Sequence, residues 1–310
     1  MTDERLVVEL RDLKFTTPLM LLSGCDGFGQ EHERIVGADT SLIGAVFLKG
    51  TTVEPRLGNP AHRLWETPSG LLNAIGLQNP GVDVVIRDLL PRLDTRTTHY
   101  IANISGATLE EYRELARRFD ETVVSAIEIN VSCPNVKAGG MQFGNDPDMC
   151  ARVIEACRSV TGKPLITKLT PAYHDTALLA QKCIDAGTDA LSLINTVSGM
   201  AFDIRKRQPA LGFGQGGLSG PAIKPIALLK VHQAARICRP RGIPIIGQGG
   251  ITCAEDAIEF FLAGADAIGI GTALFYDPLI YKRIHEDLLD YLAQHQLNRI
   301  TDIKPWSKQK

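Results

Sequence analysis

Eight short apolar runs, each ending at a polar or glycine residue, most constrain what this chain can fold into. They are Leu19–Leu22, Ala45–Leu48, Tyr100–Ala102, Ala126–Ile129, Leu165–Lys168, Ala190–Ile194, Ile243–Ile246 and Ala267–Ile270. Runs this short suit strands covered on both faces better than helices. Helix signals lie between many of them. Thr108 and Glu111 have capping-box spacing ahead of LEEYRELARRF, and Asp146 precedes a proline at a first helical position. Asp175 opens TALLAQKCIDA and Gly187 follows at the usual stop position. Thr252 and Glu255 repeat the box before DAIEFFLA, with Gly264 behind it. The stretch DAGTDAL (Asp185–Leu191) is echoed by LAGADAI (Leu262–Ile268), as if one helix-to-strand turn were used twice. Eight such units predict an α/β fold, a (β/α)8 TIM barrel, with a doubly wound sheet as the alternative.

The segment Leu6–Phe15 predicts an N-terminal hairpin closing the barrel floor. Two connections, Gly50–His99 and Asn195–Pro225, are long enough to be active-site loops or lids. No linker or low-complexity stretch interrupts the 310 residues, so a single domain over 1–310 is expected.

Charge and cysteine usage narrow the function classes. The net charge is −2 with no basic stripe, which argues against nucleic acid. The start, MTDERLVVELRDLKF, is acidic and alternating, unlike a signal peptide, and no apolar stretch approaches a membrane span. A cytoplasmic enzyme without a membrane partner is therefore expected. Seven cysteines without a CxxC pair fit neither a disulfide framework nor a zinc or iron–sulfur site carried by this chain. Cys150, Cys157 and Cys183 fall in helical patterns and read as small buried hydrophobes. The seven histidines lack paired spacing, and no metal site is expected.

In a barrel the active site forms at the C-terminal ends of the strands. In chain order those ends carry Ser23-Gly24, Lys49-Gly50, Asn103, Asn130, Lys168, Asn195-Thr196, Gly247-Gln248-Gly249-Gly250 and Gly271-Thr272. Two lysines and three asparagines converging on one mouth suit a planar, polar, electron-accepting ligand. Glycine amides after the seventh and eighth strands suit a phosphate held without a cation, such as that of FMN. Neither a Walker loop nor a dinucleotide fingerprint is present. Beside a flavin, Lys168 or Lys49 would stabilise the negative charge of the reduced ring.

Several longer stretches then resemble one family, the class 1 dihydroorotate dehydrogenases. They are KGTTVEPRLGNP (Lys49–Pro60), LLNAIGLQNPG (Leu71–Gly81), INVSCPNVKAGG (Ile129–Gly140), KLTP (Lys168–Pro171), INTVSGMAFD (Ile194–Asp203), GGLSGPAIKP (Gly216–Pro225), GQGGI (Gly247–Ile251) and GIGTAL (Gly269–Leu274). They run in order over almost the whole chain. The resemblance implies an FMN-containing barrel that oxidises dihydroorotate to orotate in pyrimidine synthesis. It places FMN against Ser23, Lys49, Gly50, Asn103, Asn130, Lys168, Ile194, Gly220, Gly249, Gly250, Gly271 and Thr272. It places substrate against Lys49, Asn73, Ala74, Ile75, Gly76, Leu77, Asn130, Asn195 and Thr196. Asparagine amides match the alternating N–H and C=O groups of orotate, and Lys49 balances its carboxylate.

The same resemblance gives Cys133 a role as the base that takes the C5 proton, with Lys49 and Lys168 completing the catalytic set. A thiol with pKa of about 8.5 is suited to that task in a polar setting. Cysteine also separates the chain from class 2 members, which use serine and associate with membranes. Within class 1, VKAGGMQFG and LLNAIGLQNPG resemble the NAD-linked branch, 1B, more than the fumarate-linked homodimers, 1A. Branch 1B implies a homodimer core in a heterotetramer with an electron-transfer subunit carrying FAD and a [2Fe–2S] cluster. Another dihydropyrimidine as substrate, or a non-catalytic barrel binding FMN or orotate, are the competing readings. One departure stands out: Cys25 occupies a place where the resemblance leads to a threonine-like residue, and it is expected to pack.

Overall fold

The computed structural model describes residues 3–131 and 143–304. Eight parallel strands close into a barrel: Leu19–Leu21, Ala45–Phe47, His99–Ile104, Ala126–Asn130, Leu165–Lys168, Ala190–Leu193, Ile245–Gln248 and Ala267–Ile270. Each pairs with the next in sequence, and the eighth closes on the first through Ile268–Leu19 and Ile270–Leu21. All eight expected runs are therefore barrel strands.

Most strand ends shift by a residue or two, and two of the shifts have definable reasons. The seventh strand begins at Ile245 rather than Ile243. Pro244 cannot donate to the ladder, and the Ile243 amide is spent on Cys238 O at 3.1 Å, closing the preceding helix. The third strand runs on through Asn103 to Ile104, because Asn103 points into the barrel and is fully buried instead of ending the strand.

Helices cover the barrel from the third strand onward: Leu109–Asp120, Pro147–Arg158, Thr176–Asp185, Lys224–Cys238, Ala254–Ala263 and Ile280–Gln294. Three expected caps form. Thr108 accepts from the Glu111 amide, Asp146 from Asp148 and Met149, and Asp175 from Leu178. The fourth does not form as a box. Helix Ala254–Ala263 starts one residue later than the box requires, with Cys253 at its N-cap and no side-chain cap. Thr252 donates from both its amide and its hydroxyl to Asp256 Oδ2, each at 2.7 Å, so the acceptor is one residue further on than Glu255. The first crossover carries only the 3-10 turns His32–Arg34 and Thr40–Leu42 in place of an α-helix.

The expected hairpin is present, with Val8–Leu10 antiparallel to Leu13–Phe15. Cys150, Cys157, Cys183 and Cys238 are buried in the core. The two long connections are not independent. Strands Leu64–Thr67 and Gly70–Asn73 of the first pair with Gly216–Ser219 and Val197–Gly199 of the second in one four-stranded antiparallel sheet. That sheet stands over the C-terminal mouth of the barrel. Among the described residues no helix is long and apolar enough to cross a membrane.

Candidate active site

Successive side chains on a strand point to opposite faces, so residues two apart share the barrel interior. On the fourth strand this puts Glu128 and Asn130 inward, and on the fifth Lys168. Their neighbours Asn103 and Ser192 meet Glu128 from the third and sixth strands. A polar layer thus lies beneath the mouth, where most barrels of this kind pack branched apolar residues.

Above it opens a cavity of about 890 Å³. It sits between the barrel's C-terminal ends and the four-stranded sheet, within the size range of small-molecule sites. All twelve residues expected at the cofactor line it: Ser23, Lys49, Gly50, Asn103, Asn130, Lys168, Ile194, Gly220, Gly249, Gly250, Gly271 and Thr272. Of those expected at the substrate, Lys49, Asn73, Ile75, Gly76, Leu77, Asn130, Asn195 and Thr196 line it as well. Ala74 does not. It is fully buried on the far side of its strand end and packs with Leu72 and Leu211. Cys133 lies outside the described residues.

Side chains at the mouth are tied to one another across elements. Asn195 Nδ2 donates to Asn130 Oδ1 at 3.4 Å, while Asn195 Oδ1 accepts from the Thr196 amide. Asn73 Nδ2 donates to Gly217 O at 3.2 Å, joining the two long loops. Thr272 Oγ1 donates to Ser219 Oγ at 2.7 Å, and Ser219 donates on to Leu71 O. The Lys49 ammonium lies against Gly24, 3.5 Å from where a side chain there would begin.

One wall of the cavity is built for close backbone approach. Gly250 has φ +86, and a Cβ there would stand 2.8 Å from Gly220 O and 3.0 Å from Lys224 Cβ. Gly220, at φ +95, would meet Gly70 Cα at 2.8 Å. Bare backbone therefore faces the cavity at these places. Thr252, beside Gly250, is fixed by Asp256, and Lys224 Nζ reaches Asp256 Oδ1 at 2.6 Å and Glu259 Oε2 at 2.5 Å. Burial pushes the Asp256 carboxyl up, but hydrogen bonds from Lys224 and Thr252 outweigh it and hold it below the usual range. Lys224 is thus engaged with two carboxylates behind the cradle, leaving amides to face a ligand.

Two residues of the site were not singled out from the sequence, and a third was named at a strand end without a role. Glu128 sits inside an apolar run, where its charge was the available signal. Ser192 carried none. Gln248, part of GQGG, is buried and lines the cavity. Its Nε2 donates to Ile194 O at 3.1 Å, while its Oε1 has no partner among the described residues. Asn103 Oδ1 is likewise buried without a partner. Both oxygens are buried within the wall rather than open to the cavity, and they mark it as polar. Cys25 packs between Gly271 and the core. Burial pushes its thiol up to about 11, although Lys168 and Lys49 pull it the other way. Its thiol is neutral at ordinary pH, and it also lines the cavity.

Comparison with known proteins agrees with this geometry. Residues 5–292 match the family described as dihydroorotate dehydrogenase. A protein of Pelobacter propionicus named dihydroorotate dehydrogenase B (NAD(+)), catalytic subunit, is 48% identical over 299 residues, 96% of this chain and 97% of its own. One of the same name from Geotalea daltonii is 49% identical over 300 residues, 96% of each chain. A crystal structure of DHODH from Eimeria tenella in complex with ferulenol superposes with a TM-score of 0.82 at 23% identity, covering 100% of this chain and 90% of that one. That likeness supports the barrel fold. With the family match spanning most of the sequence, the chain belongs to the dihydroorotate dehydrogenase family.

Proposed function

We propose that this chain is the catalytic subunit of an NAD-linked dihydroorotate dehydrogenase, oxidising dihydroorotate to orotate in pyrimidine synthesis. The observation that carries the reading is the single cavity at the barrel mouth that gathers all twelve residues expected at FMN and all but one of the described residues expected at substrate. The residues present fit the cofactor. Glycine backbone at Gly220, Gly249, Gly250 and Gly271 suits a phosphate, and the polar lining of Asn103, Asn130, Lys168 and Gln248 suits a hydrogen-bonding ring system. When bound, FMN supplies a two-electron acceptor for the hydride that leaves C6 of the substrate.

The chain's own groups supply the rest. Lys49 balances the substrate carboxylate from beside Gly24. Asn73, Asn130, Asn195 and Thr196 present paired donors and acceptors to the ring; hydrogen bonds of Asn195 with Asn130 and Thr196, and of Asn73 with Gly217 O, keep them oriented before substrate arrives. The sheet made of the two long loops excludes water over the reacting carbons. Cys133 takes the C5 proton. Lys168 places positive charge where negative charge accumulates.

The relatives' name supports NAD as final acceptor, reached through an electron-transfer subunit holding FAD and a [2Fe–2S] cluster around a homodimer core. Apolar side chains left in solvent at Met200, Phe202 and Ile204 accord with further chains docking on this one. A cytoplasmic location follows from that reading. The test compares dihydroorotate with dihydrouracil under an artificial electron acceptor. Dihydroorotate alone should turn over, and equal or faster turnover of dihydrouracil would overturn the substrate assignment. Direct reduction of fumarate by this chain would overturn the NAD-linked branch.

A further inference from the structure

Glu128 is fully buried in the barrel interior, at a strand position where an apolar residue would pack at no electrostatic cost. Burying a carboxylate is expensive unless it is paired and hydrogen-bonded. Its partners come from three other strands. Oε1 accepts from Ser192 Oγ at 2.6 Å. Oε2 accepts from Asn103 Nδ2 and stands 3.9 Å from Lys168 Nζ. Among the described residues Glu128 is the carboxylate within 4.0 Å of that ammonium, and Lys168 is itself only 8% exposed. Asn103 and Lys168 both line the cavity.

Two consequences follow from the donor and acceptor chemistry. A carboxylate only accepts, so the Asn103 amide must turn its nitrogen to Glu128 and its oxygen away from it, toward Gly50. That oxygen is the one left without a partner. The ammonium of Lys168 is too far from Oε2 for a direct hydrogen bond, so its donors stay available to a ligand while its charge is countered from below.

The geometry points to Glu128 as a positioning residue that sets the redox balance of the group in the cavity. It offsets the charge of Lys168 and fixes the orientation of the Asn103 amide beside it. This rests on the cofactor reading above. Any ligand atom touching Lys168 lies within about 7 Å of the carboxylate, near enough for one unit of charge to matter at an effective dielectric of about 20. Reduction of a flavin there adds negative charge, which Lys168 favours and Glu128 opposes. Glu128 therefore holds the bound flavin less readily reduced than the lysine alone would, and better able to pass its electrons on.

The test is Glu128→Gln, which removes the charge and keeps the shape. Its amide oxygen accepts from Asn103 and its nitrogen meets the Ser192 hydroxyl. Purified protein is equilibrated without oxygen against a reference dye, and flavin reduction is read by absorbance with no substrate present. At a fixed dye ratio the ratio of reduced to oxidised flavin should rise on the order of tenfold or more in the variant. Glu128→Asp, which keeps the charge, should stay within about threefold of the parent. A ratio unchanged or lowered in Glu128→Gln overturns the inference. Should that variant fail to fold with its lysine unpaired, Lys168→Met is compared with Lys168→Met/Glu128→Gln. The double variant should show the same rise over the single, and no rise overturns the inference. Parent protein that takes up no flavin would instead sink the cofactor reading, whereas normal uptake and titration with identical variants would sink only the role of Glu128.

Discussion

Adding one methyl group at Gly250 tests the cradle quantitatively. Gly250 has φ +86, where an L side chain costs about 1–2 kcal/mol. Its new Cβ would lie 2.8 Å from Gly220 O and 3.0 Å from Lys224 Cβ, closer than real contacts allow, so backbone must shift. Forcing a methyl into a packed site adds about 1–3 kcal/mol. The sum is about 2–5 kcal/mol, carried by the loop that faces the proposed phosphate. If half of it falls on the bound geometry, Gly250→Ala weakens FMN binding by about five- to sixtyfold, since about 1.4 kcal/mol is a factor of ten. Gly214→Ala is the control. Gly214 has a similar φ of +92, no atom within 4 Å of an added Cβ, and no place in the cavity lining. It should lose stability modestly and bind FMN normally. The assay is fluorescence titration of apoprotein with FMN for both variants. Parent-like affinity in Gly250→Ala, or equal losses in the two, would refute the cradle argument.

Other expectations follow from named groups. Cys133→Ala should lower dihydroorotate oxidation at neutral pH by about 10²–10⁴-fold, the usual worth of a general base, with the flavin spectrum unchanged; unaltered turnover would remove Cys133 from the mechanism. Asp256→Asn should cost about 1.5–3 kcal/mol in denaturant unfolding, because charge-assisted bonds from Lys224 and Thr252 weaken together; an unchanged midpoint would show the clamp to be idle. Burial holds the His32 and His285 imidazoles below their ordinary value of 6.5. The unfolded chain therefore binds more protons than the folded one just below pH 6.5, so stability is full above that pH and declines as pH falls through the window. Unfolding midpoints at pH 7.5 and 5.5 check this, and His32→Leu should flatten the slope; a midpoint that rises on acidification would contradict it.

Much of the architecture was legible because the constraint is local. A strand covered on both faces must be a short apolar run, and a parallel strand must be followed by a crossover, so eight runs with intervening helix caps leave little choice of fold. The site was legible for a related reason, since polar and glycine residues at strand ends converge on one mouth. What stayed hidden was non-local or inward. The pairing of Gly70–Asn73 with Gly216–Ser219 joins segments well over a hundred residues apart, and no pattern within either loop announces it. Asn103 looked like a strand terminator because asparagine usually is one, yet it continues the strand with its side chain inside. Glu128 passed as part of an apolar run, although a charge in a buried parallel strand is itself a signal. Ala74 followed its loop neighbours by proximity in sequence, but the alternation at the strand end turns it to the face of the sheet away from the cavity, where it packs with Leu72 and Leu211.

Together these features describe a mouth that is polar below, bare backbone on one side and roofed by the paired loops. In the proposed reading that arrangement would orient a planar ligand between fixed hydrogen-bonding groups, with positive charge from Lys49 and Lys168 at the reacting centre. The most direct test is the visible spectrum of the purified chain, followed by dihydroorotate added without oxygen. The account predicts a yellow, FMN-like spectrum that bleaches as substrate is added. A chain that stays colourless after incubation with FMN, or a yellow one whose spectrum dihydroorotate leaves unchanged, would contradict it.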